Sequence, residues 1–349
     1  MKRIPLKRIF LCVVIAIMVS EVSFRLYYLI AGKNISSIYS NYVIKDNYWL
    51  LRPNQTFIQP ERYGDIIYSS NRDGFRDINH DYLSQNYRIL FLGDSVTFGL
   101  GVKQNHIFTN LLEHKLNEKS KIKYETINES ICSYGPGQEL HVLKDIGLKY
   151  HPKFIILVFF NADFERCVPP KKPSIVNYYI ALHNIIVNRS ISYMRLRQLI
   201  DMFNYQLFHN IRRQYFRNTL NDQPLQDTRN YLNNRSDNDV CAFTLIKAMK
   251  AEALKNNIQF LVLISPLEVQ LYKTDFDILD QRIYNFCREN AIDFADPLSE
   301  MRLDPKKETL FSDGLHFSKY GHKFIADYLF KQLQNGYLNA PCCSPTLIY

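Results

Sequence analysis

Residues 88–99, Arg-Ile-Leu-Phe-Leu-Gly-Asp-Ser-Val-Thr-Phe-Gly, decide how this chain folds. The apolar run Ile89 to Leu92 shows no alternation, which is typical of a strand buried on both faces of a parallel sheet. Glycine ends the run, and Asp94 and Ser95 follow it. Ligands meet such a sheet at the carboxyl ends of its strands, so we expect Ser95 at the site-forming edge. Taken alone, a serine in this place is more often a helix N-cap than a nucleophile.

Strand and helix alternate along the rest of the chain. Apolar runs predict strands at 154–160 and 259–264, and we also expect a strand at 124–128 and a short last one at 292–294. Helical patterns cover 107–119, 138–149, 239–255, 276–290 and 318–333. This alternation predicts an α/β fold of three layers, a parallel sheet with helices on both faces. A helical insertion at about 164–238 interrupts it. The arginines of the insertion suit a lid, a membrane-facing surface, an anionic-substrate rim or a plain solvated helix face.

A second motif near the C-terminus changes the interpretation of Ser95. The text Asp313-Gly-Leu-His316-Phe-Ser318 precedes a predicted amphipathic helix, of which Ser318 is the expected N-cap. An aspartate and a histidine three residues apart in a loop can converge, so that the carboxylate orients the imidazole while the other ring nitrogen faces a serine. Two such motifs at the expected edge of one sheet predict a serine-nucleophile site built from Ser95, His316 and Asp313.

These residues carry a family resemblance. With Gly93-Asp94-Ser95 and Asp313-x-x-His316, the chain resembles the SGNH, or GDSL-type, hydrolases, which cleave or transfer acyl groups of esters. The likeness spans about 68–333, and residues 71–77 are similar to a lead-in segment of anchored, exported members. The resemblance implies an SGNH or flavodoxin-like fold, with Ser95 as nucleophile, His316 as base and Asp313 as its orienting acid. It implies no cofactor and no metal, and it gives Asp94 a loop-supporting role.

The middle blocks of the family pattern are less well matched, and they concern the oxyanion hole. The resemblance implies a backbone donor at Ser95 and a glycine after the second strand. That glycine position falls on Ser133, and Gly135 comes two residues later. The usual Asn-Asp pair after the third strand is replaced by Asn161-Ala162-Asp163. We expect Ser95, Ser133 and Asn161 to form the hole. In the alternative interpretations, Ala162 replaces the donor or Asn161 only caps the strand end.

The N-terminus has the features of a membrane anchor. Basic residues precede the uncharged run Ile9 to Ser20, and Glu21 and Arg25 can pair on one helix face. A helix over about 6–31 would be roughly 39 Å long, enough to cross a bilayer with tilt. We expect a single-pass signal anchor with its basic end in the cytoplasm and the catalytic domain on the extracytoplasmic side. A cleaved signal peptide is the alternative.

The expected organisation has four parts. Residues 1–31 hold the basic end and the anchor, 32–86 a stalk and lead-in segment, 87–335 the hydrolase-like domain, and 336–349 a C-terminal tail. A composition of 46% hydrophobic and 22% charged residues suits a globular protein. Seven cysteines show no metal-binding spacing; a disulfide among the exported ones is possible, with no pair favoured.

The function predicted from these features is a serine-dependent ester hydrolase. Its expected substrate is a small-molecule, lipid or glycan ester of the cell envelope, since the anchor holds the domain at a membrane. An O-acyltransferase with the same triad, or a domain that binds without catalysis, is the alternative. The net charge of +9 would suit nucleic acid, but part of it is the N-terminal basic cluster and export removes the domain from that partner.

Overall fold

The computed structural model describes residues 6–61, 64–167, 190–203 and 236–337. The chain begins with the long helix α1, Leu6–Ile30. Residues 7–30 of this helix are long and apolar enough to cross a membrane, with a mean hydropathy of 2.2 over an 18-residue window, a test that a signal sequence also passes.

A five-stranded parallel sheet forms the centre of the molecule. Its strands are β5 (Tyr87–Leu92), β6 (Tyr124–Asn128), β7 (Phe154–Phe160), β8 (Gln259–Ser265) and β9 (Asp293–Ala295). They lie in the order β6-β5-β7-β8-β9, and every neighbouring pair is parallel. The predicted α/β fold with a parallel sheet is confirmed. Because β5 lies between β6 and β7, the loops that follow β6 and β7 flank the loop that follows β5.

Helices cover both faces of this sheet, because alternate residues of each strand point to opposite sides. Ile89 and Phe91 pack into one apolar cluster and Leu90 and Leu92 into the other. On the first side lie α3 (Phe108–Lys119), α9 (Leu298–Leu303) and α10 (Lys319–Gln332), and on the second α4 (Pro136–Asp145), α7 (Ser236–Lys255) and α8 (Ile278–Glu289). Two helical turns complete the set, α2 (Ser95–Phe98) and α5 (Asp163–Arg166).

The segment before the sheet has more regular structure than its sequence suggests. It forms two antiparallel hairpins, β1 (Tyr42–Ile44) with β2 (Trp49–Leu51), and β3 (Thr56–Glu61) with β4 (Gly64–Ser69). Phe57 and Tyr68 are buried in the same apolar cluster as the sheet. The lead-in segment is therefore packed against the domain that follows. Proline and polar residues interrupt its hydrophobic alternation, which is why pattern reading predicted a stalk with little secondary structure.

The predicted insertion is described only in part. Residues 191–203 form a helix, here called α6, while 168–189 and 204–235 lie outside the described residues, as do 338–349 of the expected tail. A disulfide joins Cys167, just after α5, to Cys241 in α7, across a sequence separation of 74. The bond therefore links the two ends of the insertion at the sheet.

Candidate active site

Ser95 lies in a tight turn at the carboxyl end of β5. It is the first residue of α2 and is only 6% exposed. The preceding Gly93 has a φ of +157°, and a Cβ there would come within 2.4 Å of Thr97 Oγ1, so glycine is required for the turn to close. Asp94 Oδ1 accepts a hydrogen bond from Val96 N at 2.9 Å and caps the short helix. Gly93 and Asp94, the two residues before Ser95, thus fix the position of the serine hydroxyl.

The loop before α10 brings Asp313 and His316 to this serine. Asp313 Oδ1 accepts from the backbone N–H groups of Leu315 (3.1 Å) and His316 (2.8 Å), which folds the loop over its own aspartate. His316 Nδ1 then lies 2.9 Å from Asp313 Oδ2, and His316 Nε2 lies 2.9 Å from Ser95 Oγ. Ser318 caps α10, as expected. Asp313, His316 and Ser95 thus form one hydrogen-bonded chain, although His316 and Ser95 are 221 residues apart in sequence.

Electrostatics favour an ionised aspartate beside a basic imidazole. Burial alone would raise the pKa of Asp313, but the hydrogen bond and charge of His316 outweigh it and lower the pKa to about 2. Burial alone would lower the pKa of His316, but the hydrogen bond and charge of Asp313 raise it above its ordinary value. An imidazole of increased basicity, hydrogen-bonded to a serine, has the electrostatic character of a general base.

Two candidate backbone donors follow β6, and their geometry differs. Ser133 has a φ of +69°, in the left-handed region that favours glycine, so it has the conformation expected of the family's glycine position. The N–H of Gly135 donates to Gln138 Oε1 at 3.2 Å, at the start of α4. A Cβ at Gly135 would also lie 2.6 Å from Cβ of Arg166. Gly135 therefore has packing and capping roles, which favours Ser133 as the donor.

Asn161 directly follows β7, the other neighbour of β5. The backbone N–H at the end of this strand, that of Phe160, donates to Asp163 Oδ2 at 2.7 Å, so the strand end is capped by Asp163. Asn161 is half-buried, and within the described residues its Oδ1 has no hydrogen-bond partner. The alternative role of Asn161, a strand cap, is therefore filled by another residue.

Two arginines support the serine turn. Arg76, which is 1% exposed, donates to the carbonyls of Phe98 (3.2 Å), Gly99 (2.5 Å) and Val102 (2.6 Å), at and beyond the end of α2. Arg166 pairs with Asp94 Oδ2 at 2.7 Å and also with Asp163. The lead-in segment and α5 thus hold the turn from opposite ends. Asp94 has the loop-supporting role that the family resemblance implies.

A cavity of about 320 Å³ lies beside His316 and Asp313. Its walls come from the loop that carries Asp313 and His316, the turn after α2, the β3–β4 hairpin, the segment before β1, and α6, which contributes Arg197 and Gln198. Burial raises the pKa of Glu61, another lining residue. The lining is mixed, with charged and amide groups next to Tyr39 and Leu100, and suits a ligand that has both polar and apolar parts.

Comparison with known families identifies the domain. The family model for GDSL-like lipase/acylhydrolase covers residues 89–329. The chain belongs to this family. It is therefore a hydrolase of the GDSL type that acts on ester bonds, and the resemblance noted in the sequence is confirmed. No curated protein matches the chain.

We compare the chain with three solved structures that have a similar fold. TesA shares 11% identity with the chain at a TM-score of 0.44, covering 71% of this chain and 98% of its own. A putative lipolytic protein of the G-D-S-L family from Desulfitobacterium hafniense shares 16% (TM-score 0.41; 70% and 99% covered). The psychrotrophic esterase EstA from Pseudoalteromonas shares 14% (TM-score 0.42; 73% and 100% covered). Likenesses this distant say nothing about the substrate.

Sequence reasoning did not find the residues behind the turn. Arg166 and Asp163 lie just after β7, and nothing in a single sequence links them to Asp94. Arg76 lies inside the lead-in segment that the family resemblance identified, so the sequence indicated that this residue belongs with the domain. It did not indicate which backbone carbonyls Arg76 binds.

Asp296 lies at the start of a helix, where its Oδ1 accepts a hydrogen bond from Leu298 N at 2.9 Å.

Proposed function

We propose that the chain is a serine esterase in which Ser95 is the nucleophile, His316 the general base and Asp313 the acid that orients it. The observation that carries this proposal is the continuous hydrogen-bonded chain from Ser95 Oγ through both ring nitrogens of His316 to Asp313, with both contacts at 2.9 Å. Serine is a poor nucleophile without such a base. The raised pKa of His316 suits the transfer of a proton from the hydroxyl.

The reaction would follow the usual two steps of acyl transfer. Ser95 Oγ attacks the carbonyl carbon of the ester as its proton passes to His316 Nε2, and Asp313 stabilises the imidazolium that forms. The tetrahedral intermediate collapses, His316 returns the proton to the departing alkoxide, and the acyl group stays on Ser95. Water then attacks the acyl-enzyme as His316 takes its proton, which gives a second tetrahedral intermediate. This intermediate collapses, His316 returns the proton to Ser95 Oγ, and the acid leaves.

The oxyanion of both intermediates requires donors that already point to it. We assign this role to the backbone N–H groups of Ser95 and Ser133 and to the side-chain amide of Asn161. Support comes from the sheet order, which sets the loops after β6 and β7 on either side of Ser95, and from the glycine-like φ of Ser133. Because Asp163 caps the end of β7, the Asn161 side chain is not needed as a strand cap.

The chain is also proposed to stay anchored by α1, with the catalytic domain on the extracytoplasmic side and a cell-envelope lipid or glycan ester as substrate. The disulfide between Cys167 and Cys241 supports an oxidising compartment, since such bonds persist mainly outside the cytosol. The mixed lining of the cavity beside His316 accords with an ester that carries a polar group.

A fluorophosphonate probe tests the nucleophile. Wild-type protein should become covalently labelled at Ser95, Ser95→Ala should not be labelled, and His316→Ala should lose most of the labelling, because the hydroxyl then has no base. Ser299→Ala, at an exposed serine of α9, is the matched control and should be labelled like wild type. Labelling that persists in Ser95→Ala contradicts the assignment.

Product analysis separates the alternatives. Hydrolysis gives a free acid with water as the acyl acceptor, whereas an acyltransferase moves the acyl group from Ser95 to an added sugar or alcohol. Transfer that dominates hydrolysis at millimolar acceptor would favour the transferase. A protein that is folded but neither labelled nor active on any ester would favour a binding domain.

A further inference from the structure

Helix α6 presents an apolar stripe to the outside. Leu196, Leu199, Ile200 and Phe203 are between 49% and 63% exposed. Their spacing places all four on one face of a helix. The other face, with Ile191, Met194 and Gln198, is buried against the protein. A stripe of this kind would be unfavourable in water, and exposed apolar patches mark contact with a membrane or with another protein.

The start of α6 is held by α1. The Glu21 carboxylate accepts from Ile191 N (3.2 Å), Ser192 N (3.0 Å) and Ser190 Oγ (3.0 Å), and it also pairs with Arg25 at 2.7 Å. An acidic residue of the first helix thus caps the N-terminus of the sixth.

Apolar and aromatic contacts extend this junction. Tyr28 and Phe24 of α1 pack with Ile191 and Met194 of α6. Arg195 donates to the Tyr28 hydroxyl and forms an ion pair with Asp65 of the β3–β4 hairpin at 2.5 Å. The outer half of α1, α6 and the hairpin therefore pack together.

The length of α1 gives the depth of this junction. From Ile9 to Glu21 the helix rises about 18 Å, whereas the hydrocarbon layer of a bilayer is about 30 Å thick. With Lys7 and Arg8 at one boundary of that layer, Glu21 lies roughly 10 Å short of the other. A charge at that depth is costly unless it is paired, and Glu21 has four donors from Arg25 and the start of α6. Interfacial helices bury their apolar face about 5–10 Å deep, so the start of α6, which Glu21 contacts, lies at the inner end of that range.

We propose that α6 is a membrane-interface helix, and that the ester substrate is carried by a lipid of the membrane in which α1 lies. The stripe of Leu196, Leu199, Ile200 and Phe203 enters the same leaflet as the outer half of α1. The polar flank of the helix, with Arg197 and Gln198, lines the cavity beside His316. One helix therefore joins the lipid surface to the site, so that an acyl lipid reaches Ser95 past α6. The substrate part of this inference depends on the proposed esterase function.

Insertion can be measured without any activity. The full-length protein, reconstituted in vesicles, is given a tryptophan at Leu199 of α6 or, as a control, at Leu303 of α9, which is 85% exposed. Lipids brominated in their acyl chains quench a tryptophan that enters the hydrocarbon. Leu199→Trp should show strong quenching beyond that of native Trp49, and Leu303→Trp should show none. Equal, weak quenching of both variants would overturn the membrane position of α6.

Activity on two substrates tests the lipid part. Leu199→Glu/Ile200→Glu should hydrolyse a soluble p-nitrophenyl ester within about twofold of wild type, but a vesicle-borne acyl lipid at least about tenfold more slowly, because two charges oppose insertion. Leu303→Glu should match wild type on both substrates. Equal losses on both esters, or none on either, would overturn the lipid route. If wild type were inactive on both esters, or if activity survived in Ser95→Ala, the esterase function would be contradicted instead. The tryptophan quenching would still test the membrane position of α6, because it does not depend on activity.

Discussion

Asn161 follows β7 directly, while the neighbouring Asp163 caps that strand. If the Asn161 amide donates to the oxyanion, Asn161→Ala should lower kcat by roughly 10² with little change in KM, because the lost hydrogen bond forms fully only in the transition state. Steady-state kinetics on any ester that the wild type hydrolyses would measure the effect.

The matched variant Asn161→Asp keeps the shape of the side chain but removes the donor, and it should be at least as slow. Melting curves distinguish the two roles of the residue. The donor role predicts a melting temperature within a few degrees of wild type for both variants. An unchanged kcat, or a large loss of melting temperature, would instead favour a structural role.

The pair of His316 and Asp313 predicts how the rate depends on pH. His316 acts as a base only when neutral, and its pKa lies above the ordinary value of about 6.5. Activity should therefore be complete above that raised pKa and fall as pH drops through it. In Asp313→Asn the imidazole stays buried but loses its anionic partner, so its pKa falls and the acidic limb of kcat/KM moves to lower pH. The plateau should fall by roughly 10³- to 10⁴-fold, since the ring loses its orienting charge. An acidic limb at the same pH in both proteins would show that Asp313 does not set the pKa.

At the scale of elements, the sequence predicts best where pattern and burial agree. The strands β6 and β7 match their predicted bounds. For β7 the reason is its unbroken apolar run, which suits a strand covered on both faces. The helix predicted at 138–149 is shorter, since α4 ends at Asp145 and a 3-10 turn, Gly147–Tyr150, follows it. The local sequence pattern stays helical through residue 149, so it does not show where the α-helix ends.

Tertiary partners account for what pattern reading missed. The hairpins of the lead-in segment exist because Phe57 and Tyr68 find a partner surface on the sheet, which no local period reveals. The candidate site divides in the same way. Ser95 and His316 lie in recognisable motifs, whereas the support from Arg166 depends on a contact across 72 residues.

The disulfide between Cys167 and Cys241 gives a prediction about α5 and α7. It closes a long loop, and bonds of this kind typically add about 2–4 kcal/mol to the free energy of unfolding. Reductant should therefore lower the melting temperature of wild type by several degrees and leave that of Cys167→Ser/Cys241→Ser unchanged. Peptide mapping under non-reducing conditions should recover the cross-linked pair. Equal melting of wild type with and without reductant would show that the bond does not form or does not stabilise the fold.

On the scale of the whole molecule, α1 packs against the folded domain, in addition to the place in the membrane that we propose for it. Its outer half caps α6 through Glu21 and packs against it through Tyr28, and α6 lines the cavity beside His316. Removal of the helix would leave the first N–H groups of α6 without their acceptor and expose the apolar contact. The same contacts that suggest a lipid substrate therefore favour an uncleaved anchor over a signal peptide.

The full-length chain should accordingly remain in membranes through a wash in about 1 M salt. At that ionic strength the Debye length falls to about 3 Å, so attraction between basic residues and anionic lipid is screened, whereas burial of an apolar helix is not. Detergent should release the protein, and sequencing of the purified chain should find an N-terminus before Ser20. The variant Val13→Arg/Ile17→Arg places two charges in the middle of α1 and should shift the protein to the soluble fraction, because each charge costs about 2.5–3.5 kcal/mol at the centre of a membrane helix. Release of wild type by salt alone, or a mature N-terminus beyond Ser20, would show that α1 does not hold the domain at the membrane.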